Sequence, residues 1–333
     1  MIPTALAIAL LLAVSAQDAQ MGPNGEIDGL TAKFVDVNGV RTRYYDYGQG
    51  EVIVLVHGGM ITGASTANNF SLNLPGLAKR FRVIAVDRLA QGMTDNPKDD
   101  AGFTNEGTAN HVYQFIQTLK LGPVHLVGHS AGGGTAFYVA AEHPEIVKTL
   151  TVISAGPQMP PAGDGPTKFD ALLAKCPPDR TSYEHLKCRL LALGHTPKTF
   201  PPYYEKADDF MGNLPKSRDG RKRMAATRTA RPGWPDRENE AYRQRAWEKA
   251  RAGGLQMPIL IFSGKQDTLS WDANDPHAMM RRELGFFDLV GAKNPRVKLI
   301  VINEAGHFPY REHPGQFNAD LMQFIELAGR GKS

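Results

Sequence analysis

Val124-His125-Leu126-Val127-Gly128-His129-Ser130-Ala131-Gly132-Gly133-Gly134-Thr135 is the stretch whose reading decides the fold. The apolar run 124–127 reads as a buried strand and the apolar stretch 135–141 as the helix it feeds, so Ser130 falls on the turn between them. A nucleophile that must attack a carbonyl above a sheet is best presented on such a tight turn, where flanking glycines tolerate close backbone contacts and strained torsions. The pattern G-x-S-x-G recurs by chance, but a strand before it and a helix after it supply the context that the chemistry needs. We therefore read Ser130 as a nucleophile, the alternative being a serine in a glycine-rich turn; Gly133 and Gly134 additionally allow close helix packing.

Outward from this turn, the runs 52–56 and 83–86 also read as buried strands. Between 83–86 and 124–127, the segment 105–119 places Val112, Phe115, Ile116 and Leu119 at helical spacing. The resulting β-α-β rhythm implies a mainly parallel sheet. Upstream, 34–37 and 40–45 flank Asn38-Gly39, a strong hairpin signal, so the sheet opens with an antiparallel pair. Downstream, strands are expected at 149–153, 259–262 and 297–302, with a closing helix at 317–327.

The sheet pauses between 153 and 259 for about a hundred residues, far beyond an ordinary loop. This interval has proline-rich ends, both cysteines, and helical stretches at 183–193 and 238–252. We expect a core from 30–155 and 255–330, with 156–254 inserted as a helical cap over the sheet's carboxyl edge. No internal repeat is visible.

A serine hydroxyl is a weak nucleophile at neutral pH, so a histidine must take its proton and a carboxylate must hold the imidazole in the right tautomer. Asp267, in Ser263-Gly264-Lys265-Gln266-Asp267 after strand 259–262, is the expected acid; Asp272 and Asp275 in the same loop are alternatives. His307, in Asn303-Glu304-Ala305-Gly306-His307-Phe308 after the last strand, is the expected base. The oxyanion needs two backbone donors, one from Ala131 and one from the loop His57-Gly58-Gly59-Met60. The motif fixes that loop but leaves Gly59 and Met60 both open, and His57 reads as a brace for the loop rather than as a catalyst. Chemistry of this kind needs no metal or organic cofactor.

With 333 residues, 42% of them hydrophobic and 22% charged, the chain can bury a large core. A formal charge of +4, with no zinc-knuckle spacing and no aromatic-basic interleaving, argues against a nucleic-acid partner and leaves a small molecule as the expected one. Oligomeric state is not written in these motifs. Twelve Lys or Arg against five Asp or Glu fall within 216–251. That excess suits either steering of an anionic substrate or an ordinary solvated helix surface with partners around Glu238 and Arg243, and we favour the second.

At the other end, an apolar run at 5–14 leads to Val14-Ser15-Ala16, a small-residue ending that suits cleavage before Gln17. No Lys or Arg precedes the run, so the amino group of Met1 is its only positive charge. Ten apolar residues are too few to span a membrane. We expect a signal peptide at 1–16 and a periplasmic or secreted protein with no stable membrane insertion after cleavage. In an oxidising compartment Cys176 and Cys188 can close a disulfide; two free buried thiols are the alternative.

From about Phe34 to Leu327 these motifs resemble the capped α/β-hydrolase superfamily, which implies the α/β-hydrolase fold and a serine hydrolase. Within it, Gly63-Ala64-Ser65, Asn68-Asn69-Phe70-Ser71, Gly306-His307 and Glu312-His313-Pro314 look like the meta-cleavage-product hydrolases, which cleave carbon-carbon bonds of dienoic ring-fission products. That subgroup typically has Asn where this chain has His129, and Trp where it has Phe308. Together with the leader, these departures favour an ester or lactone of a small apolar or aromatic substrate. C-C hydrolysis is the alternative, and a ligand-binding protein using the same pocket a second one.

Overall fold

A computed structural model of the chain describes residues 21–155, 167–269 and 278–330. The leader, Asp272 and Asp275 lie outside the described residues. Eight strands form one sheet: β1 (Lys33–Val37), β2 (Val40–Tyr47), β3 (Val52–Val56), β4 (Arg82–Val86), β5 (Val124–His129), β6 (Val147–Ile153), β7 (Ile259–Gly264) and β8 (Val297–Ile302), in the order β1-β2-β4-β3-β5-β6-β7-β8. The hairpin β1–β2 pairs Val37 with Val40 across Asn38 and Gly39, both at positive φ as a two-residue turn demands. β2 runs antiparallel to β4, and every later pair is parallel. β5 and β7 are buried at every position, as expected for parallel strands covered on both faces.

The helices are α1 (Leu74–Leu77), α2 (Asn105–Thr118), α3 (Ala131–Glu142), α4 (Lys168–Leu173), α5 (Tyr183–Leu193), α6 (Pro202–Gly212), α7 (Pro215–Ala230), α8 (Asp236–Arg251), α9 (Ala278–Gly291), α10 (Pro309–Glu312) and α11 (Pro314–Arg330). Alternation along β3 sends Val54 and Val56 into a cluster with Val112, Phe115, Phe137, Trp247 and Phe286, from α2, α3, α8 and α9. Ile53 and Leu55 face the opposite cluster, where Leu74 and Phe324 of α1 and α11 meet Leu190, Tyr204 and Met211 of α5 and α6.

Two boundaries differ from those expected. The interval assigned to a cap, 156–254, ends in α8, yet Tyr242, Ala246, Trp247 and Ala250 of that helix are buried in the core cluster against α3 and α9. Its 3.6-residue apolar stripe makes it a flanking layer of the sheet rather than a cover. The core also begins before residue 30: Ile27 is buried in the second cluster, and Asn68 Nδ2 donates to the carbonyl of Gly25 at 2.8 Å. Neither contact has a local sequence pattern to announce it.

Cys176 and Cys188 form a disulfide, Cα to Cα 5.6 Å, tying the turn after α4 to α5. Much of the positive charge of 216–251 is paired across elements: Arg223 with Asp100 at 2.6 Å, Arg245 with Glu106 at 3.2 Å and Lys249 with Glu142 at 2.5 Å. This is the solvated, partnered surface.

Candidate active site

Ser130 is at once the last residue held by the sheet and the first held by the helix. Its N–H donates to Ile153 of β6 at 2.8 Å, while its carbonyl accepts from Gly134 of α3 at 3.1 Å. Reversing the chain within one residue forces φ to 53° and ψ to −124°, a strained conformation that costs about 1–3 kcal/mol. A Cβ on Gly132 would collide with the carbonyl oxygens of Val56 and His57, and one on Gly128 with the carbonyl of Gly132. The two glycines of the motif are therefore required by close passage of backbone. The Ser130 hydroxyl makes no hydrogen bond among the described residues and the residue is 7% exposed.

Two further loops reach the same edge. Asp267, after β7, receives His307 Nδ1 on Oδ2 at 2.7 Å and the Leu269 N–H on Oδ1 at 3.0 Å. A carboxylate only accepts, so Nδ1 carries the proton and Nε2 of His307 is left with a free lone pair. Gln266 ties the acid loop to the histidine loop, its N–H donating to Ala305 O at 2.8 Å and its Oε1 accepting from Ala305 N at 3.1 Å. The His307 N–H donates to Leu193 O at the end of α5, at 3.0 Å. Asp267 and His307 thus meet directly. Ser130 joins them through its neighbour: the His129 ring lies 4.7 Å from that of His307, and its Nε2 donates to the His307 carbonyl at 2.7 Å. His129 Nδ1 then accepts from Tyr310 Oη at 3.2 Å. Burial, reinforced by His307, holds His129 well below the usual imidazole range, so it stays neutral.

Ala131 opens α3, where the first N–H groups of a helix have no intrahelical acceptor. Gly58 abuts the elbow, a Cβ there falling 2.8 Å from Ser130 Cβ. The Gly59 and Met60 N–H groups donate to no protein acceptor among the described residues, so both remain open as candidates for the second oxyanion donor. His57 Nδ1 donates to Gly58 O at 2.8 Å and its Nε2 accepts the Arg88 N–H at 2.9 Å. Burial lowers its pKa to about 3. It is a neutral brace.

Five charged residues near this edge were given no role of their own by the sequence motifs. Glu312 accepts from the N–H groups of His195 and Gly306, both at 2.5 Å, and so pins the histidine loop to the segment after α5. Arg88 is buried beneath the oxyanion loop, donating to the Gly59 carbonyl at 2.9 Å. Arg189, one turn before Leu193 on α5, makes no hydrogen bond or ion pair among the described residues, although burial lowers its pKa. Asp208 on α6, which feels its charge, is 1% exposed with Oδ1 unpartnered, and burial raises it well above the carboxylate range against the pull of Arg311 and Arg189. Arg311 completes this cluster, its guanidinium 4.2 Å from the ring of Tyr204, whose hydroxyl donates to Asn69. Only a charged residue in an otherwise apolar helix turn, such as Arg189 before Leu190 and Leu191, signals such a position in sequence.

The model of the alpha/beta hydrolase fold family matches residues 51–314. The chain belongs to that family. This hydrolase is 39% identical over 126 residues to the 2-hydroxy-6-oxo-6-(2'-aminophenyl)hexa-2,4-dienoic acid hydrolase of Metapseudomonas resinovorans, a match covering 37% of the chain and 42% of that relative. It is 28% identical to the 2-hydroxy-6-oxononadienedioate/2-hydroxy-6-oxononatrienedioate hydrolase of Burkholderia vietnamiensis, across 90% of the chain and 96% of the relative. The first of these matches spans about two fifths of the relative. In three dimensions the hydrolase resembles a meta-cleavage product hydrolase from Pseudomonas fluorescens, with a TM-score of 0.69 at 22% identity, over 90% of this chain and 98% of that one. At that identity the likeness is one of fold.

Proposed function

We propose that this hydrolase cleaves a carbon-carbon bond in a carboxylate-bearing 2-hydroxy-6-oxo-dienoate, with Ser130, His307 and Asp267 as nucleophile, base and orienting acid. The observation that carries the choice of substrate is the interior cluster of Arg189, Arg311 and Asp208. Both guanidinium groups act electrostatically on the one Asp208 carboxyl, so the three residues together carry net positive charge whether or not Asp208 is ionised. The half-buried Arg189 has no protein partner among the described residues and Arg311 keeps Nη2 unpartnered, so a substrate carboxylate finds open donors there for charge-assisted hydrogen bonds that a neutral ester lacks. The similarity to two dienoate hydrolases supports the same reading.

His307 Nε2 takes the Ser130 proton as Oγ adds to the ketone carbon beside the scissile bond, and the N–H groups of Ala131 and of Gly59 or Met60 receive the oxyanion. In the 2,6-dioxo tautomer of the substrate, formed when the enol proton moves from the 2-hydroxyl to C5, collapse breaks the C5–C6 bond and expels C5 as the conjugated dienolate, which recovers the proton from His307. Water deprotonated by His307 then cleaves the Ser130 ester, releasing the second acid and restoring the hydroxyl. A ring-fission dienoate assayed beside an aryl ester series is the test. We expect kcat/KM for the dienoate to be higher by at least about tenfold; the reverse order would return the assignment to an esterase.

Ester or lactone hydrolysis is the second reading, favoured by His129 and Phe308 at positions where meta-cleavage-product hydrolases typically carry Asn and Trp. The same triad performs it, with an alkoxide in place of the dienolate as leaving group. A fluorophosphonate probe that fails to label Ser130 would instead favour a ligand-binding protein. We also infer export, with cleavage after Ala16; the Cys176–Cys188 disulfide supports an oxidising compartment. Amino-terminal sequencing of secreted or periplasmic material should begin at Gln17, and retention of Met1 there would contradict it.

A further inference from the structure

Arg88 is a fully buried cation with no anion beside it. It is 2% exposed, its Nε has no partner, and it forms no ion pair among the described residues. The adjacent Asp87 is fully engaged elsewhere: its carboxylate accepts from Arg43 Nη1 at 3.0 and 3.2 Å, from Ala67 N at 2.7 Å and from Met93 N at 2.9 Å. Burial lowers Arg88 only to about 10, so it remains charged at neutral pH. A charge kept in a protein interior without a counter-ion is costly.

Its hydrogen bonds say where that charge is directed. Nη1 donates to the Gly59 carbonyl at 2.9 Å and lies 3.4 Å from the Gly58 carbonyl. With its amide turned to satisfy both neighbours, Gln91 accepts from the same Nη1 at 3.2 Å and donates to Met60 O at 3.3 Å. In a planar trans peptide the C=O and N–H point in opposite directions. Fixing the carbonyls of Gly58 and Gly59 on the Arg88 side therefore turns the N–H groups of Gly59 and Met60 to the other side, and Gly58 itself abuts Ser130. The positive charge also polarises both peptide units, which strengthens their N–H groups as donors.

We propose that Arg88 is a positioning residue for the oxyanion pocket, orienting and polarising the Gly58–Gly59 and Gly59–Met60 peptides toward negative charge that develops above Ser130. This rests on Ser130 being the nucleophile. Its chemistry predicts an effect on the tetrahedral state and little on the bound ground state.

The test compares Arg88→Gln and Arg88→Lys with the wild type, using 4-nitrophenyl acetate turnover and the affinity for phenylboronic acid, which forms a tetrahedral anionic adduct with an active serine. Arg88→Gln should lower kcat by about ten- to a hundredfold with KM nearly unchanged, below the hundred- to thousandfold of an outright oxyanion donor loss. Its boronate affinity should fall by a similar factor, and Arg88→Lys, which keeps the charge and one donor, should recover part of both. Wild-type kcat and boronate affinity in Arg88→Gln would overturn the proposal, as would a loss confined to KM. If circular dichroism shows Arg88→Gln unfolded, Arg88→Lys decides on the same two readings, with no reduction in either counting against us. Ser130→Ala is the separate control: boronate binding as tight as in the wild type would remove the nucleophile, whatever Arg88 does.

Discussion

The loops at the sheet's carboxyl edge and the helices α5 and α6 that lie over them treat their polar side chains in opposite ways. At the edge, both oxygens of Asp267, the Nδ1 and N–H of His307, and both ring nitrogens of His129 have protein partners. On α5 and α6, Arg189 makes no hydrogen bond among the described residues and Asp208 keeps one oxygen unpartnered. A reaction centre must be held before the substrate arrives, because reorganisation at the moment of reaction adds to the barrier. A recognition surface leaves capacity open for a ligand to fill. On the proposed function, the core would do the chemistry and the cover would choose what undergoes it.

The largest effect should come from the edge. Ser130→Ala should lose about three or more powers of ten in turnover while keeping substrate affinity, measured by steady-state kinetics and by binding of the dienoate to the inactive variant. Near-normal hydrolysis would break the comparison at its centre. In the cover, replacing both Cys176 and Cys188 by Ser should cost roughly 2–4 kcal/mol in denaturant unfolding, with the acylation rate of folded enzyme retained. Loss of chemistry without loss of stability would place catalytic geometry in the cover.

Arg189→Met should separate recognition from reaction. We expect kcat/KM for a carboxylate-bearing dienoate to fall by about ten- to a hundredfold, the value of one charge-assisted pair. Neutral aryl esters should be unaffected. An equal loss on both substrates would mean that Arg189 supports the fold instead.

The smallest effect on turnover concerns Glu283 on α9, buried with both carboxyl oxygens unpartnered, which burial and the nearby Asp267 push up to about 8. The folded state therefore holds a proton that the unfolded chain releases from its ordinary value of 4.5, so this residue withdraws stability as pH rises from about 4.5 to about 8. Glu283→Gln removes that dependence. Its melting temperature should match the wild type near pH 4.5 and exceed it near pH 8, by an amount equivalent to at most roughly 4 kcal/mol. A constant offset across that range would show that Glu283 is ionised in the folded protein.

Elements with a period were readable from the chain. β3 and β8 begin and end at the residues their apolar runs mark, and α5 spans the helical stretch expected of it. The helix after Ser130 starts at Ala131, four residues before its apolar stretch, because three glycines carry no hydrophobic signal although backbone hydrogen bonds already hold them in the helix. α8 was assigned to the cover because its position in the sequence says nothing about which neighbour will take its apolar face. Asp267 and His307 were legible because a loop following a parallel strand emerges at the carboxyl edge of the sheet. Arg88 and Asp208 were not, since a charged residue in sequence looks the same whether it reaches water or is enclosed.

The sequence by itself determined the order of the strands, the strand-to-helix turn at Ser130, and the loops that carry Asp267, His307 and Gly58-Gly59. These follow from local rules, the alternation of apolar residues and the steric freedom of glycine, which act within a few positions. Only the tertiary structure decided that α8 joins the core, that Asp267 holds His307 through Nδ1, that Arg88 lies beneath the loop 57–60 without a counter-ion, and that the field of two arginines acts on the buried Asp208 carboxyl. Burial and pairing depend on residues far apart in the chain, and electrostatic energies in an interior are set by those distant neighbours rather than by the residue's own type.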